Sequence, residues 1–396
     1  MKSGLKKRKG ILNPIVLSLF VLSFLIGTSE FIVIGILPEI AKGLNISLTT
    51  AGYVVSVFAI IYALGTPFTS AYAGKKERHS FIVVCMLLFV LAHLLCAIAL
   101  NYFIFTIARI FIALVSGALL SVALTFPKDI LEENSVPQAI ALIFTGFSVA
   151  SVLGVPISTM LSRIIGWRMT FILIMIASFI LTIILYRVLP KIQHQKAESL
   201  FGQFSLFLNK KIIFGVLGVM FSSGATYNFY TYLTPILQDK LHIESKYTGL
   251  ALSIFGIAAL ISNVLSGYLA KKYDMRDMLG VYFLQALFMG IMIFSFGSLI
   301  FGGTIILILG CLMYLMNSPS QIYFLNVASK ENKGCESLAS GLSPVFFNFG
   351  IATGSFSGSL IAKYVGFDYV GFGGMVFAIL AILSCICLRR VSKNSY

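Results

Sequence analysis

"AGYVVSVFAIIYALGTPFTSAYAGKKERH", Ala51–His79, has an echo later in the chain, "TGLALSIFGIAALISNVLSGYLAKKYDMR", Thr248–Arg276. Gly52 matches Gly249, Ser56 matches Ser253 and Phe58 matches Phe255, all at an offset of 197. Both runs are apolar and both end in a basic loop. A second pair lies farther on. "GVPISTMLSRIIGW" from Gly154 parallels "GSFSGSLIAKYVGF" from Gly354 at an offset of 200, with Arg163 over Lys363 and Gly166 over Gly366. Two similar offsets in distant segments predict a duplicated unit of about half the chain. Chance matching between Gly-rich apolar helices is the alternative.

Composition sets the solvent. The chain has 396 residues, of which 58% are hydrophobic and 11% charged. A soluble domain carries about 25% charged residues. Mean hydropathy is +0.97, and in water such a chain would expose large apolar patches. A bilayer core about 30 Å thick asks for roughly 20 apolar residues per helix. Spans are expected near 12–37, 47–73, 81–99, 103–126, 137–160 and 168–188. A second set is expected near 212–236, 246–269, 279–298, 301–324, 336–361 and 367–388. The weakest division is at "SFGSLIFGG", which must turn between the ninth and tenth.

The predicted fold class is therefore an all-α membrane protein with 12 transmembrane helices in two six-helix bundles. The tail covers 1–11 and the first bundle 12–188. A linker covers 189–211, the second bundle 212–388 and a closing tail 389–396. The opening "MKSGLKKRKG" looks like a signal-peptide start. The apolar run after it is too long and lacks a small-residue cleavage site, so a retained first span is expected. The six cysteines show no metal-ligand spacing, and no disulfide framework is implied.

Net charge is +15, and its placement assigns sides. With the N-terminus inside, 22 of the 29 Lys and Arg fall on the inner face and 6 on the outer, leaving Arg109 within a span. Positive charge collects on the cytoplasmic side of membrane proteins, so both termini are expected there. The bias suits anionic headgroups and speaks against a soluble basic surface for nucleic acid.

Glu30 is the only one of the 14 acids deep inside a predicted span. A charged carboxylate against lipid costs several kcal/mol, so it should face the protein interior or a water-filled cavity. There burial opposes its charge and a nearby cation favours it. Such a group can load and release a proton. A carboxyl that only fixes packing is the structural alternative. Arg109, in the fourth span, keeps its proton. It could partner Glu30, anchor an interior network, or reach toward the membrane surface.

Three stretches carry a family resemblance. They are "SEFIVIGILPEIA" in span 1, "YFIFTIARIFIALVSGALL" in span 4 and "GFSVASVLGVPISTMLSRIIGWRMTF" in spans 5 and 6. The chain resembles major facilitator superfamily transporters. It is most similar to the drug:proton antiporter-1 group, with its bacterial arabinose, purine-nucleoside and chloramphenicol efflux proteins. The resemblance implies a multi-pass protein of the bacterial cytoplasmic membrane, acting as a monomer without cofactor or metal. It implies proton coupling through Glu30 and Arg109. It implies a gating role for the antiporter motif at Gly146, Gly154 and Pro156, continued by Gly166, Trp167 and Arg168. The family's loop motif between spans 2 and 3 reads "GKKERHS" here. Gly74 and Arg78 fit, but Glu77 departs from the family's Asp position. That implies a charge lock that is weak or differently wired.

A substrate cavity with aromatic walls and a few amides suits a small, partly apolar solute. Its expected lining is Tyr227, Asn228, Tyr230, Asn263, Gln285, Asn317, Gln321 and Asn348. Interhelical hydrogen bonds are the bland role for each amide, and an interfacial belt is that for the tyrosines. The expected activity is export of a drug, nucleoside or related metabolite against inward protons. An importer of the same fold is the first rival and a non-transporting receptor the second. No GxxxxGK[ST] motif is present for an ATP-driven pump. The histidines are scattered, with only His93 inside a span, so no catalytic cluster assembles and no enzyme is expected.

Overall fold

The structure is a computed structural model that describes residues 13–73, 77–132, 135–191, 206, 208–331 and 336–393. In the first half α1 is Pro14–Gly35, α2 Leu37–Gly43, α3 Leu48–Ala73, α4 Arg78–Ile98 and α5 Tyr102–Ala123. Then come α6 Phe126–Ile130, α7 Val136–Val149, α8 Val155–Ile165 and α9 Trp167–Val188. In the second half α10 is Lys210–Tyr230, α11 Ser245–Leu269, α12 Leu279–Ile291 and α13 Leu299–Leu312. α14 is Asn317–Glu331, α15 Glu336–Tyr364 and α16 Val370–Lys393.

Eleven helices among the described residues are long and apolar enough to cross a bilayer. The ninth expected span appears as a shorter apolar helix, Leu279–Ser295. Its last turn tightens to a 3-10 helix, Met292–Ser295. The turn expected at "SFGSLIFGG" follows, and Ser298 then caps α13 by accepting a hydrogen bond from the Phe301 N–H at 3.3 Å.

Helix starts follow capping chemistry. Asn13 accepts hydrogen bonds from the N–H groups of Ile15 and Val16, both at 3.0 Å, and Pro14 occupies the first helical position. Asn101 does the same for Ile104 at 2.9 Å. The fifth span is interrupted by a π-helical stretch, Ala150–Gly154, just before Pro156. Proline offers no N–H to the carbonyl four residues back, and a wider π turn is one way a helix absorbs the misfit.

The chain divides into two compact units. One is Met1–Ile40 with Leu64–Ala197, the other Ala41–Ala63 with Glu198–Tyr396. In the first unit α1 packs along α7 and α8, while α4 packs on α5 and α9. In the second, α10 packs along α15 and α16, and α12 lies on α16. Ala41–Ala63 groups with the second unit although it precedes the first unit's remaining helices in the chain. Tyr53 packs on Phe356 with ring centroids 5.7 Å apart. Gly52 leaves no room for a side chain beside the Tyr232 hydroxyl and Ser359.

The echo in the sequence is repeated in the backbone. Positive φ occurs at four described residues only: Asn45 (54°), His242 (52°), Gly166 (87°) and Gly366 (119°). Asn45 and His242 differ by 197 positions, Gly166 and Gly366 by 200. These are the offsets of the two sequence echoes. Asn45 and His242 stand in the turn before one echoed helix, and Gly166 and Gly366 in the turn after the other. Left-handed backbone disfavours most side chains, so the pairing marks the same turn built twice.

Candidate functional site

Glu30 lies in α1 and is only 7% exposed. Its Oε2 has no hydrogen-bond partner. Beside it is Arg109 of α5, fully buried. Arg109 Nη1 donates to the Ser29 carbonyl oxygen at 2.7 Å, and Nη2 to the Glu30 carbonyl oxygen at 3.3 Å. The arginine thus holds the main chain of α1 at the acid's own position. A buried guanidinium needs acceptors for its donors, and these carbonyls supply two.

His93 of α4 completes the cluster. Its Nδ1 lies 2.7 Å from the Phe89 carbonyl oxygen, and its Nε2 2.8 Å from the Ser29 hydroxyl. A carbonyl only accepts, so Nδ1 carries the proton. In the neutral ring Nε2 then accepts from Ser29. The ring is enclosed by Phe89 at 4.2 Å and Phe171 at 6.2 Å between centroids. As an isolated histidine in an apolar span it gives no sequence signal beyond packing. Its partner Ser29 comes from a helix 64 residues away, which no local pattern shows.

The antiporter-motif residues pack within the first unit. A Cβ on Gly146 would meet the Phe20 carbonyl oxygen of α1, and one on Gly154 would meet Thr28 Oγ1. Pro156 follows the π-helical stretch. Gly166 turns the chain, Trp167 packs edge-on to Phe105 at 5.7 Å and to Phe171 at 6.1 Å, and Arg168 lies over the Trp167 ring at 4.3 Å. Arg168 Nη2 also donates to the Ala99 carbonyl at 3.0 Å, tying this corner to the end of α4.

Of the loop motif, Gly74 lies outside the described residues. Glu77 takes a hydrogen bond from Ser80 at 2.8 Å. Arg78 pairs with Asp129 at 2.5 Å, and both side chains are largely buried. The acid that meets Arg78 thus comes from α6, a residue the motif alone does not single out.

The amides and tyrosines expected in a cavity have mixed surroundings. Tyr227, Tyr230, Phe255, Phe347 and Tyr314 form a linked aromatic group. Tyr230 stacks on Phe255 at 5.1 Å, Tyr227 meets Tyr230 at 5.3 Å, and Tyr314 stacks on Phe347 at 5.9 Å. Asn228 Nδ2 donates to Ser357 at 2.7 Å. Gln285 donates to the Ser222 carbonyl at 3.0 Å and to Thr226 at 2.8 Å, and its Oε1 accepts from Ser222 at 3.1 Å. That ties α12 to α10. Asn348 Nδ2 donates to the Pro344 carbonyl of its own helix at 3.2 Å. Asn263, Asn317 and Gln321 are half-buried. The hydroxyl seam between the turn after α10 and α15 was not singled out in the sequence. Thr231 meets Ser355 at 2.8 Å, and Tyr232 donates to Ser359 at 2.6 Å. The alternation in "GSFSGS" is its only trace.

Among the described residues no group of three His, Cys, Asp or Glu side chains is placed to hold a metal. The family model described as Major Facilitator Superfamily matches residues 19–335. An uncharacterized MFS-type transporter of Bacillus subtilis (strain 168), YtbD, is 30% identical over 383 residues, covering 96% of each chain. A probable sugar efflux transporter of Helicobacter pylori (strain ATCC 700392 / 26695) is 25% identical over 363 residues, covering 91% of each. The crystal structure of a D-xylose-proton symporter matches the fold with a TM-score of 0.79 at 14% identity, over 95% of this chain and 96% of that one. The duplicated helical architecture and these relatives agree. The chain belongs to the Major Facilitator Superfamily, as a multi-pass transporter of the bacterial inner membrane rather than an enzyme.

Proposed function

We propose that this chain is a proton-coupled antiporter of the drug:proton antiporter-1 type. It exports a small, partly apolar solute such as a drug, nucleoside or related metabolite. The observation that carries the reading is the buried Glu30 carboxyl, with Oε2 unpartnered, beside the Arg109 guanidinium. An acid in a span, held next to a permanent cation, is equipped to take a proton and give it up as its surroundings change. Twelve spans with both termini cytoplasmic complete the proposed layout. The Lys/Arg asymmetry supports the orientation, and Leu279–Ser295 supplies the twelfth crossing. The linked tyrosines around Tyr227 and Tyr230 are the proposed face for a ringed solute. Export is supported by the name of the Helicobacter pylori relative.

The test is flux in inverted vesicles under an imposed pH gradient, with a solute panel of dyes, antibiotics, nucleosides and sugars. The parent is expected to accumulate at least one solute, and Glu30→Gln to lose gradient-driven accumulation while still binding that solute. Uphill movement at the parent's rate in Glu30→Gln would refute the coupling role. Accumulation only in right-side-out vesicles would make the chain an importer.

A further inference from the structure

The proposed function leaves His93 without a task. We infer that His93 is a positioning residue. By accepting the Ser29 hydroxyl, it fixes the rotation of α1 and so the setting of the Glu30 carboxyl. The inference rests on the reading of Glu30 as the proton-carrying group.

Two kinds of contact hold α1. On one side the holding is steric. Gly27 stands so close to Ala150 that a Cβ would sit 2.9 Å from the alanine methyl. Gly146 and Gly154 likewise bring α7 and the turn before α8 against Phe20 and Thr28. Such contacts fix the distance between helices but are tolerant of small rotations. The other side is directional. Ser29 is gripped twice, at its carbonyl by Arg109 and at its hydroxyl by His93. One bond to the backbone limits translation along the helix. A second, to a side-chain atom leaving the helix at a different angle, limits turning about the axis. Glu30 is the next residue, so any turn of Ser29 carries the carboxyl with it.

His93 is built to hold still. Its Nδ1 is committed to Phe89 of its own helix, which sets the ring plane and the tautomer. Phe89 and Phe171 pack the ring from α4 and α9. The charged group acting on it is Arg109 from α5, and Glu30 follows its partner Ser29 in α1. The charged residues of α9, Arg168 and Arg187, lie at that helix's ends. A ring so enclosed beside a guanidinium serves as a fixed acceptor, and its role in the cycle is orientation.

The test reads Glu30 directly. In purified protein returned to lipid vesicles, the infrared band of the protonated Glu30 carboxyl is followed against pH and identified by its loss in Glu30→Gln. His93→Phe keeps a ring but has no acceptor. It is expected to move the band's pH midpoint by about one unit, roughly tenfold in proton affinity. Ser29→Ala, which keeps the histidine, is expected to move it similarly and carries the test if His93→Phe does not fold. His93→Gln, whose side-chain carbonyl can accept from Ser29 but cannot titrate, is expected to restore the parent midpoint. Unchanged midpoints in folded His93→Phe and Ser29→Ala overturn the inference, as does a His93→Gln midpoint displaced as far as that of His93→Phe. The vesicle flux of Glu30→Gln reports on the coupling role separately. Midpoints that move while that flux persists leave the clamp standing and remove the coupling. Midpoints that stay while that flux is lost do the reverse.

Discussion

The two units share a scaffold and differ in what they bury. The turns at Gly166 of the first unit and Gly366 of the second are the same turn 200 positions apart, and those at Asn45 and His242, both grouped with the second unit, repeat at 197. In both units the first helix is approached closely by glycines of the fifth. Gly146 meets Phe20, and Gly350 meets Met220 in the same manner. The interiors then diverge. The first unit buries a carboxyl, a guanidinium and an imidazole around Ser29. The second buries neutral hydroxyls, amides and aromatic rings around Asn228, Tyr230 and Gln285. At the offset of 197 set by the neighbouring turn, Glu30 corresponds to Tyr227, which packs on Tyr230 and Phe347. Packing is therefore a property of the duplicated frame, whereas buried charge, among the described residues, belongs to one copy.

The sharpest way to break this contrast is to remove the charges. Arg109→Ala should lose gradient-driven flux as Glu30→Gln does. It should also unfold more readily, since deleting one member of a buried charged network costs about 3–5 kcal/mol. Tyr230→Phe should retain pH-driven flux. If flux in Tyr230→Phe lost its pH dependence, the division of chemistry between the units would be wrong.

The shared frame predicts matched damage. Gly146→Val and Gly350→Val each push a side chain against a backbone carbonyl and should each cost about 1–3 kcal/mol by overpacking. Thermal unfolding in detergent measures both. A large loss in one unit with none in the other would show that the equivalence stops at the turns.

Gln285 offers a smaller test. Its three hydrogen bonds tie α12 to α10, so Gln285→Leu should lower stability by roughly 0.6–1.7 kcal/mol, from the average to the maximum measured for side-chain bonds between membrane helices. Solute KM should stay unchanged. A KM shift at full stability would support Gln285 as a solute-lining residue.

The smallest effect is at Glu39, in the short helix α2 beyond the first span. Burial raises its pKa, against the pull of its own backbone hydrogen bond and of Arg163, whose Nε is 3.8 Å away. The folded state then holds the proton more tightly than the unfolded one. Stability falls as pH rises through the window above the ordinary carboxylate value. Glu39→Gln escapes that loss. Its Tm should exceed the parent's at neutral pH by about 2 °C or less, and the gap should close below the ordinary carboxylate range.

What could be read from the sequence was whatever repeats or is rare. The echoes at Ala51 and Thr248 gave the duplication because both copies kept their glycines and basic loops. Glu30 and Arg109 stood out because charge inside a span is costly enough to be scarce. Partners at long range were not legible. Ser29 with His93, Arg78 with Asp129, and Gln285 with Ser222 join residues 64, 51 and 63 positions apart, and a residue that draws notice, such as Arg78, His93 or Gln285, still does not name its partner. Gln285 also shows why an amide in a span is ambiguous. The same group that could greet a solute can satisfy a neighbouring helix, and only its surroundings decide.

Two of the acceptors that hold Arg109 are main-chain oxygens. No replacement of the side chain at 29 or 30 deletes those acceptors, and neither does the arrival or departure of a proton on Glu30. The cation can therefore stay moored while the neighbouring acid alternates between neutral and ionised forms. Each proton leaves with the same steady help from the cation, which favours the ionised carboxylate, so whatever alters the release must come from elsewhere in the molecule.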